Sequence, residues 1–249
     1  MSQNGHLAQW NPEGKDSTHP WWVGQPGMSA IGKTLARKLD VTYQTRATHI
    51  AEQDQTYLVH TQAADGDSPV YRVSRVVVAA PAPQALALLE PLDPVFADLR
   101  TVSMAPCWSA MLAFDQPLKA VKDLTRGLDT DILALIARNG SKPNRSGETF
   151  VMHATPQWSR THLETDRDAV RSAMLQAMRQ QTGLAPHLPD PVHFEVHRWL
   201  YALVEKPLHQ SFLGNPQNTL FACGDWCIGG RAEAAYQSGE ALAHHIMSL

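Results

Sequence analysis

Cysteine is scarce in this chain: three residues in 249, Cys107, Cys223 and Cys227. An odd number without regular spacing gives no disulfide framework. The last two stand four apart rather than as C-x-x-C, which argues against a zinc or redox pair, and Cys223 reads as a small buried residue ending a strand. No apolar run approaches the roughly 18 residues that a membrane span requires. The first ten residues, MSQNGHLAQW, carry neither the basic nor the apolar region of a secretory signal. Neither sign of charge dominates: 21 Lys and Arg against 24 Asp and Glu leave a net charge of −3. That balance speaks against nucleic acid or an anionic membrane as a partner. Repeats and low-complexity segments are absent too. These absences lead us to expect a soluble, cytoplasmic protein with a small-molecule substrate; they leave its oligomeric state open.

What is present is an ordinary globular mixture, 43% apolar and 18% charged, long enough for one or two domains with a large core. Residues 7–10 and 21–23 read as short strands, and Ser29 as the N-cap of a helix to about Leu39 with Ile31, Leu35 and Leu39 on one face. Residues 56–62 alternate, turn at 64–67 and continue to Val73 as a hairpin. The run Arg75 to Pro81 reads as a strand buried on both faces, with PAPQALALLE opening a helix. Strands are expected at 104–114, 131–137, 148–154 and 192–203. A cationic turn, Asn139 to Arg145, precedes the third of these. Residues 165–182 form a helix in which Thr165 and Asp168 make a capping box and Gly183 marks the end.

The most informative stretch is 222–246, ACGDWCIGGRAEAAYQSGEALAHHI. Asn218 to Cys223 is a short apolar strand, Gly224-Asp225 ends it, Gly229-Gly230 loops, and a helix follows from Ala232. Ala235, Gly239, Leu242 and Ile246 recur on one helical face that is small at its start. The unpaired N–H groups of a helix's first turn make an anion and dipole site, and glycines let a ligand reach the backbone. The spacing is equally compatible with a plain turn and a helix packed on a sheet.

The string GDWCIGGRAEAAYQSGEALA resembles the C-terminal flavin-binding signature of the flavin amine oxidase superfamily, in its renalase-like branch. The resemblance implies that Asp225, after Gly224, hydrogen-bonds the ribityl or pyrophosphate part of FAD. It also implies that the backbone at Ala232, reached through Gly230 and Arg231, faces the flavin C2 carbonyl and N1. Residues 45–50 match a segment whose backbone contacts adenine, with Ala47 at the position where valine is usual. The strand junction at Pro81 matches one that passes beside the dinucleotide. WVGQPGMSAIGKTLA is similar to the family's P-G-G-M stretch with one glycine replaced. Three further segments, NGSKPNR, VMHATPQWSRTHLE and HRWLYA, resemble parts of its substrate domain. They nominate Lys142, Arg145, His153, Trp158, Trp199 and Tyr201 as a substrate wall. Burial statistics make the core the default reading for Trp158.

His193, Glu195 and His197 point the same way from one strand; an exposed face explains them as well as a metal does, and no further ligand cluster accompanies them. His244 and His245 fall near a helix C-terminus, which favours them.

The family's opening fingerprint, G-x-G-x-x-G after a first strand, occurs nowhere in the sequence. The resemblance therefore implies an α/β fold of the FAD-linked oxidoreductase type with an incomplete FAD-binding domain (28–90 and 214–249) and a mixed-sheet substrate domain (1–27 and 91–213). The implied activity is renalase-like: hydride passes from a dihydronicotinamide-type substrate to flavin N5, and oxygen reoxidises the flavin. No serine–histidine triad or carboxylate pair calls for another mechanism. Two other readings stay open, an amine oxidase and a non-catalytic remnant or interaction module. The expected cofactor is FAD, held weakly or not at all by this chain alone.

Overall fold

The computed structural model describes residues 5–15, 18–184 and 187–249. In chain order the elements are β1 (Leu7–Trp10), β2 (Trp21–Gly24), α1 (Ser29–Ala36), β3 (Thr45–Gln53), β4 (Thr56–Ala63), β5 (Val70–Val73), β6 (Val76–Val78) and α2 (Ala82–Leu89). Then come β7 (Ser103–Phe114), β8 (Leu124–Arg126), β9 (Leu133–Arg138), β10 (Glu148–Ala154), α3 (Pro156–Thr161) and α4 (Arg167–Gln181). The chain ends with β11 (His193–Lys206), β12 (Leu213–Gly214), β13 (Leu220–Ala222) and α5 (Ala232–Met247). These elements fall into two compact units, Met1–Val41 with Pro106–Leu200, and Thr42–Ala105 with Tyr201–Leu249. The division lies elsewhere than the sequence boundaries: residues 28–41 cluster with the first unit, and 91–105 and 201–213 with the second.

The first unit is built on a sheet in the order β11-β7-β10-β9-β8. Strand alternation sends Ala110, Leu112, Ile136, Phe150 and Met152 to one face, where α4 covers them with Val170, Met174, Ala177 and Met178. The 3.6-residue period predicts a stripe of Val170, Met174 and Met178 with Ala169, Ala173 and Ala177; of those alanines only Ala177 is buried, and Ala169 is exposed. The cap differs: Asp166, not Thr165, is the N-cap, its Oδ1 accepting from the N–H groups of Asp168 (2.8 Å) and Ala169 (3.3 Å). A carboxylate one residue nearer the first turn satisfies two amides at once. The other sheet face carries Leu135 and Ala137, against which the β1–β2 hairpin packs Trp10, Trp21 and Val23. The helix after the hairpin is shorter than expected, ending at Ala36, and Leu35 and Leu39 are exposed, so the stripe read there is not buried.

The second unit holds the antiparallel sheet β3-β4-β5 and the three-stranded sheet β12-β13-β6, in which β13 and β6 run parallel. Its core packs Ala82, Ala85 and Ala222 among Ile50, Tyr57, Leu89, Phe96, Leu99, Leu213, Leu220 and Trp226. The strand at 76–78 is not buried on both faces, since Val77 is 45% exposed. Val77 pairs with Phe221 across the ladder, and Leu242 of α5 packs on Phe221. The stripe on α5 is likewise shifted: Ala234, Ser238 and Leu242 are buried, while Ala235 is exposed. Among the described residues, no helix is long and apolar enough to cross a membrane.

Candidate functional site

The parallel pair β6 and β13 places two chain junctions side by side at its carboxyl end. Cys223 N–H continues the pairing to the Val78 carbonyl at 3.1 Å, so the Ala79–Pro81 segment and Gly224–Asp225 leave the sheet together. Trp226 fastens them: its side chain is buried and its Nε1 donates to the Ala80 carbonyl at 3.0 Å. Gly224 is needed for this approach, because a Cβ there would lie 2.5 Å from Trp226 Nε1. Pro81 stands at the N-cap of α2, with no N–H to leave unpaired.

The start of α5 joins the same place through Ser238. Its hydroxyl donates to the Ser211 carbonyl (2.6 Å) and accepts from Gly224 N–H (3.1 Å). It also meets the Cys227 thiol, whose pKa burial pushes up to about 11, so this sulfur stays a thiol. A buried serine where a helical stripe would carry an alanine explains the one-residue shift: two backbone groups at the strand end need it. No side chain caps α5, whose N-cap Arg231 is extended. The first-turn amides at Ala232 and Glu233 thus lie at an exposed helix end flanked by the small residues Ala235 and Gly239.

Asp225 is half-buried. One carboxylate oxygen accepts from Trp226 N–H at 2.9 Å, and burial raises the carboxyl pKa above its ordinary value despite that bond. The carbonyl of Asp225 takes Ile228 N–H (3.0 Å) and Gly229 N–H (2.7 Å), which tightens the loop before α5. Gly230 backs onto Leu203 and Val204 of β11, while a Cβ at Gly229 would meet open space. Of the two glycines, Gly229 is the one that leaves the backbone approachable. Ala47 lies on β3 at a register shift, three residues before Ile50, which shares the core of Ala82 and Trp226. All seven nominated cofactor residues, Ala47, Pro81, Gly224, Asp225, Gly230, Arg231 and Ala232, fall in the second unit.

The nominated substrate residues divide. Lys142 and Arg145 sit together in the loop after β9: Lys142 Nζ lies 3.3 Å from Asn139 Oδ1, and Arg145 Nη1 donates to the same oxygen. His153, which pairs with Leu135 and Ser109, points to the hairpin side of the sheet, the side on which that loop meets Trp10. Burial lowers the pKa of Lys142, with Arg145 adding to it; burial and then Lys142 lower that of His153. His153 is exposed by area, so the packed sheet behind it and not enclosure of its ring is what favours the neutral form. Trp199 lies on the face of β11 opposite buried Phe194 and Val196, is 54% exposed, and has its ring 4.3 Å from His197. Trp158 is not brought to Lys142. It packs against the α4-side core and stacks on His162 at 4.2 Å. It also lines a separate cleft of about 280 Å³ with Asp129, Asp131 and Thr155. Tyr201, also on β11, is exposed and falls in the second unit.

His193, Glu195 and His197 are exposed on β11, and no group of three or more His, Cys, Asp or Glu among the described residues could hold a metal ion. Sequence reasoning missed Ser238, Trp226 and Asn139. Ser238 and Trp226 lie inside the informative stretch but look like a helix surface and a loop residue. Asn139 acquires its role only from two cations arriving on its oxygen.

No protein-family model matches the chain. Among solved structures, a crystal structure described as "Putative protoporphyrinogen oxidase from Exiguobacterium sp. 255-15" matches with a TM-score of 0.69 and 15% identity. The match covers 94% of this chain and 54% of the other, so the chain spans about half the length of that protein. At such identity the likeness concerns the fold alone: the protein has a mixed α/β, several-sheet architecture similar to that structure's.

Proposed function

We propose that the protein works as part of an FAD-dependent oxidoreductase, the second unit receiving the flavin end of FAD and the first unit binding the substrate. The observation that carries this is the convergence of Asp225, the Pro81 junction and the uncapped start of α5 at the carboxyl end of a parallel strand pair. Ligands of α/β sheets bind at such strand ends, and helix N-termini favour negative charge.

The residues present fit one end of the cofactor. Asp225 keeps one carboxylate oxygen for ligand hydroxyls, as the ribityl chain would offer, and the Ala232 amides would stabilise negative charge at the ring's C2 carbonyl and N1. Ala235 and Gly239 leave room beside them. The doubly charged pyrophosphate has no such set of donors, because no G-x-G-x-x-G exists in the chain. When bound, the flavin would supply a two-electron acceptor for a hydride from substrate carbon, with oxygen as the final oxidant. The protein's part is to position the substrate and to keep the developing ring charge next to the helix end.

For the substrate the renalase-like reading, a dihydronicotinamide-type molecule, is preferred over an amine, because Lys142 and Arg145 present positive charge without a carboxylate partner among the described residues. A protonated amine would be repelled there. The test is a set of equilibrium titrations with dihydronicotinamide nucleotides and with primary amines, read by protein fluorescence. Saturable binding of the former supports the reading, and binding of amines alone overturns it.

A further inference from the structure

We propose that the loop carrying Lys142 and Arg145, with Asn139 at its centre, is a seat for an anionic group, a carboxylate or a phosphate, of the molecule bound by the first unit. The name "substrate" for that molecule rests on the reading above; the seat itself rests on the loop.

Another partly buried cation of this chain is treated differently. Arg138, one residue before the loop, is fully compensated. It pairs with Glu148 and, at 3.5 Å, with Asp123, and it donates to the carbonyls of Leu118 and Val121. Lys142 and Arg145, also partly buried, have no carboxylate among the described residues. Both lean on one neutral atom, Asn139 Oδ1. An amide oxygen has two lone pairs, so these two bonds fill it. Arg145 uses Nη2 on the Gly24 carbonyl at 3.2 Å, which leaves its Nε buried with no partner. Lys142 Nζ has two further protons and meets the Trp10 ring at 5.2 Å, which offers partial compensation at best. Two adjacent cations that share a neutral acceptor and retain unmet donors are arranged for an anion.

The seat is also held in place before any ligand arrives. Trp10 Nε1 donates to Ser141 Oγ (3.1 Å), and Ser141 Oγ donates to the Arg138 carbonyl (3.0 Å). Lys142 N–H bonds the Asn139 carbonyl and Arg145 N–H the Lys142 carbonyl, each at 3.2 Å. Gly140 packs so tightly on the Gly147 carbonyl that a Cβ would collide with it. A loop fixed in this way gives up little entropy when it binds. His153, favouring the neutral form, lies on the same side of the sheet and can donate a hydrogen bond without adding a third charge.

The test uses the full chain without flavin. The indole N–H signals are followed by 15N NMR at constant ionic strength while inorganic phosphate, propionate or methylammonium is added. We expect a saturable shift of the Trp10 indole with phosphate, with propionate or with both, the responding anion naming the group. In Lys142→Gln the affinity falls by about tenfold or more, the worth of a charge-assisted bond. In Lys119→Gln, which removes an exposed lysine elsewhere, it is unchanged. Three results would overturn the proposal: no saturable shift with either anion, equal affinity in Lys142→Gln, or a Lys142-dependent response to methylammonium. The spectrum of each variant reports whether it is folded. Because no flavin takes part, an anion response would survive failure of the flavin reading, and its absence would leave that reading to its own tests.

Discussion

The two units offer charge to a ligand in opposite ways. The first presents cations on long side chains, Lys142 and Arg145, on a loop that clips onto Trp10 and Gly24. The second presents the backbone: an uncapped helix start and one carboxylate at a strand end, held by Ser238 and Trp226. Each unit has its own core: the first packs its side chains between a broad sheet and α4, and the second gathers Ala82, Ala85, Leu89, Phe96 and Ile50 with Trp226. Side-chain charge suits recognition of a free group, whereas a backbone site suits a planar ligand that must lie against the chain.

The largest expected effect separates the two cores. Trp226→Ala removes the largest buried side chain of the second unit and its bond to the Ala80 carbonyl, at a cost of about 3–5 kcal/mol. Hydrogen exchange should rise across β6, β13 and α5 while α4 keeps its protection. Equal loss in α4 would show that the cores are not separate. Ser238→Ala should cost less, about 1–3 kcal/mol by urea denaturation, since it leaves Gly224 N–H and the Ser211 carbonyl unpaired. A neutral result would mean that solvent reaches both groups.

Asp225→Asn should act with the opposite sign at neutral pH. Burial raises the folded-state pKa above the ordinary 3.8, so the unfolded chain ionises first as pH rises. The Asp225 contribution is most favourable below 3.8, is lost across the window between 3.8 and the raised value, and stays unfavourable above it. The variant should therefore melt at the same or a higher temperature at about pH 7, an advantage that vanishes at about pH 3. A lower Tm at about pH 7 would show that the carboxylate stabilises the fold instead. The smallest effect is expected at Asp190, 90% exposed beside Arg179: its change to Ala should shift stability by less than about 0.5 kcal/mol in thermal melts.

Much of this organisation is legible locally. The β4–β5 hairpin, β7, β10, the α4 stripe and the strand–glycine–helix order of 220–247 follow from periodicity and turn residues. What was not legible depends on partners distant in sequence. The α5 stripe shifts because Ser238 answers two backbone groups. Lys142 reaches Trp10, more than a hundred residues away, and no local pattern announces that meeting. Trp158 shows the converse: its segment resembles a ligand wall, but the burial statistics of aromatics favour the core, and it packs on the α4-side core and stacks on His162.

The central claim is that the Asp225 loop and the start of α5 receive the flavin end of FAD. Its most direct test is a titration of the full chain with FAD and with riboflavin, followed by quenching of flavin fluorescence, in the wild type and in Asp225→Asn. Because the sequence contains no G-x-G-x-x-G to hold the pyrophosphate, binding should be saturable but weaker by several powers of ten than at a complete dinucleotide site. FAD and riboflavin should bind within about tenfold of each other, and Asp225→Asn should weaken both by about tenfold or more, the worth of one charge-assisted bond. A wild type that quenches neither flavin, or an Asp225→Asn variant that binds both as well as the wild type, would contradict the account.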